Sequence, residues 1–416
     1  MGRAVDALAS AYQRVHIFGQ DKAPKARKCK IAGSDVIVHE AKRPLGVGKT
    51  SGIHKRNLLI QDAADPFGFV HYLPYFYHPD NFNPNWPILV FIPGLLCNGN
   101  HPRIAPYGGS YRDLDMTQSL LNLLVLKGCR VVLVNSRNTK WINKRFVVNK
   151  LGVKNTFPKG GITFNKMSDD LSFYYSVVPE LLGEEGGSSG AKEVVAWPFS
   201  YGCVKQANDF VRNGVHPRLV GNIPCGMPIS LDSDKYVMGL AQRAADIFPA
   251  WTGIQPLYFL GDQLPHLKPL MKRIPNSVAR RMELIKNAFC LDNTNLEAVF
   301  DVMSYVLESA DTDTVDCFIH WIKDAKGVSD RVNGKSFLQQ LAENEAVRAL
   351  PTLVVSGKED QLAPEKDGKL LSEGIGAEWF VMNNTGHVDM LMGHNYLLLA
   401  IRMLTFMEQH YGLAVR

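Results

Sequence analysis

Three residues of the types used in nucleophilic catalysis lie far apart in the chain, each just beyond a short apolar run: Ser200, Asp360 and His387. Ser200 lies in Lys192-Glu-Val-Val-Ala-Trp-Pro-Phe-Ser-Tyr-Gly-Cys203, where the apolar run meets a serine, a small residue follows, and a helical pattern opens. That is the pattern of a nucleophile elbow, a strained turn from strand to helix that must leave room for a crossing chain. Gly202 obeys the rule, whereas Pro198 stands where the first glycine of Gly-x-Ser-x-Gly is expected. Asp360 follows Gly357 at the end of an apolar strand. A carboxylate there can accept from an imidazole N–H and hold the tautomer whose other nitrogen faces the serine. Glu359 is its rival, one residue out of register. His387, in Asn383-Asn-Thr-Gly-His-Val-Asp-Met390, would take the serine proton during attack and return it to the leaving group.

Serine first, acid second and histidine last is the order of the α/β-hydrolase arrangement. Such chemistry also needs donors for the negative oxygen of the tetrahedral intermediate, usually backbone N–H groups. Tyr201, directly after the serine, supplies one. The other is expected from the loop Pro93-Gly94-Leu95, with Leu95 the candidate donor; Pro93 itself is excluded because proline has no N–H to give. Cys203 is read as a small packing residue: as a nucleophile it would place Tyr201 and Lys205 where small residues are needed.

The elements that must position these residues follow from periodicity. Two alternating runs, Arg56-Asn-Leu-Leu-Ile-Gln61 and Gly68-Phe-Val-His-Tyr-Leu-Pro-Tyr-Phe-Tyr77, precede the continuous apolar run Pro87-Ile-Leu-Val-Phe-Ile92. That suits an antiparallel edge leading into a parallel interior. A helical pattern from Asp113 to Lys127 and the strand Arg130-Val-Val-Leu-Val134 complete a βαβ unit. A helix over about 166–182 leads through a glycine-rich linker to the elbow, and Arg218-Leu-Val-Gly-Asn-Ile223 reads as the next strand. The stretch from about Ser230 to Asp330 changes character, with long helical patterns at 277–289 and 295–307. The core resumes with the strand Pro351-Thr-Leu-Val-Val-Ser-Gly357, a helix near 364–372, the strand Glu378-Trp-Phe-Val-Met382 and a closing helix over about 394–410. The expected fold class is therefore α/β: an α/β-hydrolase fold with a mostly parallel central sheet flanked by helices, and a helical cap inserted before the acid strand. The expected organisation is an N-terminal arm at 1–50, the first part of the core at 51–229, the cap at 230–335 and the second part of the core at 336–416.

At 416 residues, 46% hydrophobic and 21% charged, the chain can bury a large core and is neither disordered nor membrane-spanning in pattern. A net charge of +6 is too mild to point to nucleic acid. Seven scattered cysteines without a Cys-x-x-Cys predict reduced thiols, with no disulfide framework and no zinc site. No cofactor and no metal are expected. Gly46-Val-Gly-Lys-Thr50 superficially resembles a phosphate-binding loop, but Arg43 occupies the first glycine position and no helix pattern follows. Lys22, Lys25, Arg27, Lys28 and Lys30 form a basic cluster, read as a solvated arm that could also touch an anionic membrane surface or an acidic carrier. With no signal-peptide apolar region and no myristoylation pattern, the expected location is cytoplasmic.

Several segments together resemble the acid lipase family, the gastric and lysosomal lipases. Pro93-Gly-Leu-Leu96 is similar to that family's His-Gly-Leu-Leu, and Gly128-Cys-Arg-Val-Val-Leu-Val-Asn-Ser-Arg-Asn-Thr-Lys-Trp141 to its Gly-Tyr-Asp-Val-Trp-Leu-Gly-Asn-Ser-Arg-Gly-Asn-Thr-Trp. Pro198-Phe-Ser-Tyr-Gly202 stands where the family has Gly-His-Ser-Gln-Gly, and His387-Val-Asp389 resembles its His-Leu-Asp. The resemblance covers roughly 55–225 and 345–410. It implies serine ester hydrolysis with Ser200, Asp360 and His387 as the triad and Leu95 and Tyr201 as oxyanion donors. Asn135-Ser-Arg-Asn138 also faintly resembles the Ser-Trp-Arg-Asn loop of polyhydroxyalkanoate synthases, which use cysteine where this chain has Ser200.

The expected activity is hydrolysis of a carboxylic ester or thioester with an apolar acyl group, the acyl part of a small-molecule or carrier-bound substrate. Phe248, Trp251, Phe259 and Leu260 of the cap are the candidate lining. An acyltransferase or cyclase using the same triad is the first alternative, and a noncatalytic binding protein the second.

Overall fold

The computed structural model describes residues 26–39, 45–47, 51–95, 97–107, 118–137, 139, 147–148, 163–183, 192–230, 288–306, 317, 321, 328–329 and 335–412. Eleven strands can be followed among them. β1 (Ala26–Ile31), β2 (Ser34–His39), β3 (Leu45–Val47), β4 (His54–Asp62) and β5 (His71–Tyr77) form the antiparallel side, and β6 (Ile88–Ile92), β7 (Val131–Leu133), β8 (Val194–Pro198) and β9 (Leu219–Asn222) the parallel side. They lie in the order β1-β2-β4-β5-β7-β6-β8-β9, with β3 paired to β4. β5 runs antiparallel to both its neighbours; β7, β6, β8 and β9 are mutually parallel.

Beyond β9 the sheet continues into the parallel pair β10 (Leu353–Gly357) and β11 (Glu378–Met382). The junction is made by parallel bridges Asn222↔Thr352 and Cys225↔Val355, with Val355 N donating to Pro224 O and Gly226 N to Val355 O, each at 2.9 Å. The chain therefore crosses back once, where β7 inserts between β5 and β6.

The interior strands are continuous apolar runs because both faces are covered. Ile88, Val90 and Ile92 join Val194 and Ala196 in one hydrophobic layer, while Leu89 and Phe91 join Val195 and Trp197 in the other. The first layer is closed by α2 (Phe164–Gly183) and α3 (Tyr201–Asn213), the second by α1 (Leu120–Leu126) and the C-terminal helix α8 (Tyr396–Tyr411). α4 (Leu296–Tyr305), α5 (Phe337–Glu343), α6 (Glu345–Ala349) and α7 (Glu365–Ile375) complete the described α-helices. A parallel sheet whose crossover helices cover both faces needs such runs and has no solvent face on which to alternate.

Two segments differ from expectation. The sheet begins at Ala26, inside the stretch read as an N-terminal arm: β1 and β2 form a hairpin and β2 pairs with β4. Arg27, Lys28 and Lys30 are exposed on β1, and charge on an outermost strand discourages pairing with another chain. Gly46 and Val47 of the loop-like motif belong to β3 and pair with Lys55 and His54. Most of the expected cap at 230–335, and the start of the helical pattern at 113–117, lie outside the described residues.

A second structural centre is buried on the side of the sheet away from β11. Arg137, in the turn after β7, donates from Nε and Nη2 to the Asp170 carboxylate at 2.6 and 2.9 Å and from Nη1 to Asp65 Oδ2 at 2.7 Å. The guanidinium lies over the Phe69 ring, 5.0 Å from its centroid. Burial works against the charge, yet the two carboxylates hold the guanidinium pKa above its ordinary value. Asn135 beside it accepts from Gly99 N and donates from Nδ2 to Tyr72 O, both at 3.0 Å. Lys205 Nζ, from α3, donates to Ser136 Oγ at 2.9 Å. The Asn-Ser-Arg segment thus ties β5, the loop after β6, α2 and α3 into one unit.

Candidate active site

The elbow serine is the N-cap of α3 and has φ 53° and ψ −121°, outside the regions a non-glycine residue usually adopts. Its neighbours show why the chain accepts the strain. Ser200 N donates to Cys225 O at 2.8 Å and Phe199 N to Ile92 O at 2.9 Å, so the turn is gripped by strands on both sides. A Cβ on Gly202 would sit 2.4 Å from Ile92 O and 2.9 Å from Pro93 O; this is the crossing chain the motif makes room for.

Pro198 does not prevent the elbow. It ends β8 opposite Ile92, and its carbonyl accepts from Cys225 N at 2.9 Å. Since Ile223 N donates to Ala196 O at 2.8 Å, the parallel ladder would next bring an N–H of residue 198 to the Ile223 carbonyl, and proline has none to give. The substitution costs one ladder bond and leaves the serine's conformation in place. Cys203 is buried, its Sγ donating to Pro198 O at 3.3 Å, and burial raises its thiol pKa well above the ordinary value, so it packs as a neutral group.

The acid and the histidine reach the serine from the two outermost strands on that side. His387 Nε2 is 2.7 Å from Ser200 Oγ, and Nδ1 is 2.7 Å from Asp360 Oδ2. With Nδ1–H donating to the carboxylate, Nε2 is left to accept from the serine hydroxyl. Asp360 is fixed in turn: its Oδ1 accepts from Leu362 N at 2.8 Å and Ala363 N at 2.7 Å. Glu359 is exposed, and its backbone N–H donates to Thr385 O at 3.0 Å. The one-residue difference in register decides which carboxylate turns inward.

The loop after β6 passes directly over the serine. A Cβ on Gly94 would be 3.0 Å from Ser200 Cβ and 3.1 Å from the Phe199 ring, so the Gly94-Leu95 peptide lies beside the Ser200 side chain. Leu95 is half-buried against the first hydrophobic layer, and Tyr201 opens α3. The structure therefore brings Ser200, Asp360, His387, Leu95 and Tyr201 to one edge of the sheet. Phe248, Trp251, Phe259 and Leu260 lie outside the described residues. Among the described residues there is no group of three or more His, Cys, Asp or Glu side chains placed to hold a metal ion, and no helix long and apolar enough to cross a membrane.

Sequence reading passed over two neighbours of this cluster. His101 is fully buried and donates from Nε2 to the carbonyl of Val388, the residue after His387, at 3.0 Å. Burial drives its pKa down to about 3, so it is a neutral imidazole. Its ring lies edge-on to Phe199 at 4.9 Å, and Phe199 in turn lies 5.0 Å from the His387 ring. A histidine in a glycine-rich loop carries no sequence signal of such a contact across 287 residues. The second is Asp389, whose carboxylate accepts from Gly386 N, just before His387, and from Cys290 N and Asn293 Nδ2 of a distant stretch.

No family model and no curated protein matches the chain. Solved structures do resemble it. A thermophilic esterase from Thermogutta terrifontis is 14% identical with a TM-score of 0.49, over 86% of this chain and 99% of that one. A bromoperoxidase from Bacillus anthracis is 16% identical with a TM-score of 0.47, over 85% and 99% of the two chains. An esterase from Exiguobacterium antarcticum is 16% identical with a TM-score of 0.46, over 82% and 96%. A sheet that runs in the order found here, with one antiparallel strand beside the crossing point and a positive-φ serine handing its central strand to a helix, is the α/β-hydrolase fold, and it is the fold of this chain.

Proposed function

We propose that this protein is a serine hydrolase that cleaves a carboxylic ester or thioester through an acyl-enzyme. The observation that carries the reading is the unbroken path of two 2.7 Å contacts from Asp360 through His387 to the hydroxyl of a serine at positive φ. Strain at a single non-glycine residue costs on the order of 1–3 kcal/mol, and it aims Oγ out of the strand-to-helix turn toward the imidazole.

In the first half-reaction Ser200 Oγ attacks the carbonyl carbon as its proton passes to His387 Nε2. Asp360 stabilises the imidazolium and keeps the ring's orientation. The negative oxygen of the tetrahedral intermediate is received by the backbone N–H groups of Leu95 and Tyr201, each such donor contributing on the order of 10²–10³ in kcat. Collapse breaks the bond to the alcohol or thiol, which leaves with the proton from Nε2. Water, deprotonated by the same nitrogen, then attacks the acyl-serine, and the reverse collapse releases the acid and restores Oγ–H. The acyl part is apolar in this reading, with Phe248, Trp251, Phe259 and Leu260 as its sequence candidates.

The test is mass spectrometry after exposure to a fluorophosphonate, with Ser200→Ala as control, alongside hydrolysis of p-nitrophenyl esters of increasing chain length with and without an added alcohol or amine. A single adduct at Ser200, absent from the variant, with release of free acid, is the expected result. Labelling without turnover until a nucleophile is added would make the enzyme an acyltransferase. An absence of labelling would refute the reading.

A further inference from the structure

Asp389, two residues beyond His387, is fully buried, and its carboxylate receives donors from two separate stretches of chain. Oδ1 accepts from Cys290 N at 2.9 Å and from Gly386 N at 3.1 Å. Oδ2 accepts from Asn293 Nδ2 at 2.6 Å and shares the Gly386 N–H at 3.1 Å. Asn293 extends the contact, its side-chain oxygen accepting from Asn395 N at 2.9 Å and its carbonyl from His394 N at 2.8 Å. One carboxylate thus joins residues 386–395, which carry His387, to residues 290–293, which lead into α4.

The hydrolytic steps make no use of this group, and its desolvation is substantial: burial pushes the Asp389 pKa up to about 6 even with these donors in place. Its consequence is geometric. His387 has a held residue on each side, Gly386 through Asp389 and Val388 through His101. An imidazole that must keep two 2.7 Å contacts at once tolerates little movement of its backbone.

We propose that Asp389 is a positioning residue, which fixes the backbone on the N-terminal side of His387 and sets residues 386–395 against 290–293 so that the imidazole reaches Asp360 and Ser200 together. This rests on the serine-hydrolase reading for its effect on rate, but not for its effect on geometry. Asp389→Asn would place an amide NH₂ against the Asn293 NH₂ or, in the other orientation, against the Cys290 N–H, donor facing donor. Misplacing a reacting group by about 1 Å costs on the order of 10²-fold in rate.

The experiment compares the full chain with Asp389→Asn and Asn293→Ala. It measures the rate of labelling by a small fluorophosphonate, kcat and KM for a short p-nitrophenyl ester, the thermal midpoint, and the low-field proton resonance of His387 Nδ1–H. Asp389→Asn should remain folded, label on the order of 10²-fold more slowly, lose kcat in parallel with little change in KM, and shift or broaden the His387 resonance. A folded variant that labels at the wild-type rate overturns the proposal, as does a lower thermal midpoint with labelling per folded molecule unchanged. If Asp389→Asn does not fold, Asn293→Ala decides: it keeps the carboxylate and removes one donor, so a partial loss of labelling at unchanged KM supports positioning and an unchanged rate overturns it. If the wild-type chain does not label at all, the hydrolase reading fails by itself, and the resonance alone decides. Its position would then have to change in the variant for the proposal to stand.

Discussion

Asp360→Asn separates the role of this carboxyl from that of its neighbour. Asp360 uses its two oxygens differently: Oδ1 serves the N–H groups of Leu362 and Ala363, and Oδ2 serves His387. An asparagine that keeps the first pair of bonds must turn its NH₂ toward His387 Nδ1. The imidazole relieves this by moving its proton to Nε2, where it can no longer accept from Ser200, 2.7 Å away. In serine proteases with the same triad the equivalent change lowers kcat by about 10⁴, and at about 1.36 kcal/mol per tenfold that is about 5.4 kcal/mol of lost transition-state stabilisation. Stability should move little, because the two backbone donors keep their acceptor. The assay is the second-order rate of fluorophosphonate labelling together with kcat/KM for a short ester, at matched thermal midpoints. The companion variant Glu359→Gln changes an exposed side chain and should stay within about twofold of wild type. Labelling of Asp360→Asn within about tenfold of wild type, or a large loss in Glu359→Gln, would refute the assignment of the acid.

The Ile92 and Pro93 carbonyls leave no room for a methyl group on Gly202, so Gly202→Ala should lose soluble expression or, if folded, lose labelling; a well-folded, fully reactive alanine variant would show that the crossing chain yields. Arg137→Met removes the guanidinium that serves Asp170 through two nitrogens and Asp65 through a third, and should destabilise by about 3–5 kcal/mol in urea unfolding, since it leaves two buried carboxylates without their partner. A change below about 1 kcal/mol would mean the network is not a structural centre. Burial raises the Asp209 pKa to about 6, so the folded chain takes up a proton there before the unfolded chain does as pH falls. This contribution to stability is present below the ordinary carboxylate range and is lost as pH rises through about 6. Lowering the pH from about 7.5 to about 5 should therefore raise the thermal midpoint of wild type relative to Asp209→Asn. A difference that is constant or reversed would contradict it.

The chain by itself determined the strands, because a strand buried on both faces must be a continuous apolar run and Ile88-Leu-Val-Phe-Ile92 has no other use for five such residues. It determined the residue types at three strand ends, and in Gly202 the space beside the serine. At Pro198 it showed a departure from the glycine pattern but not its consequence, since a proline removes one N–H and not the turn. It was silent on β1, whose lysines and arginine mask the alternation of a strand at the outer edge, and on its hairpin partner β2. Only the tertiary structure decided between Asp360 and Glu359, because the choice depends on which side chain a particular turn points inward. Only the tertiary structure brought His101 to Val388 and Asp389 to Cys290 and Asn293, for these are hydrogen bonds between distant segments. Periodicity records which face of an element is buried; it holds no trace of which buried polar atom will meet which, since that is fixed only when the elements pack.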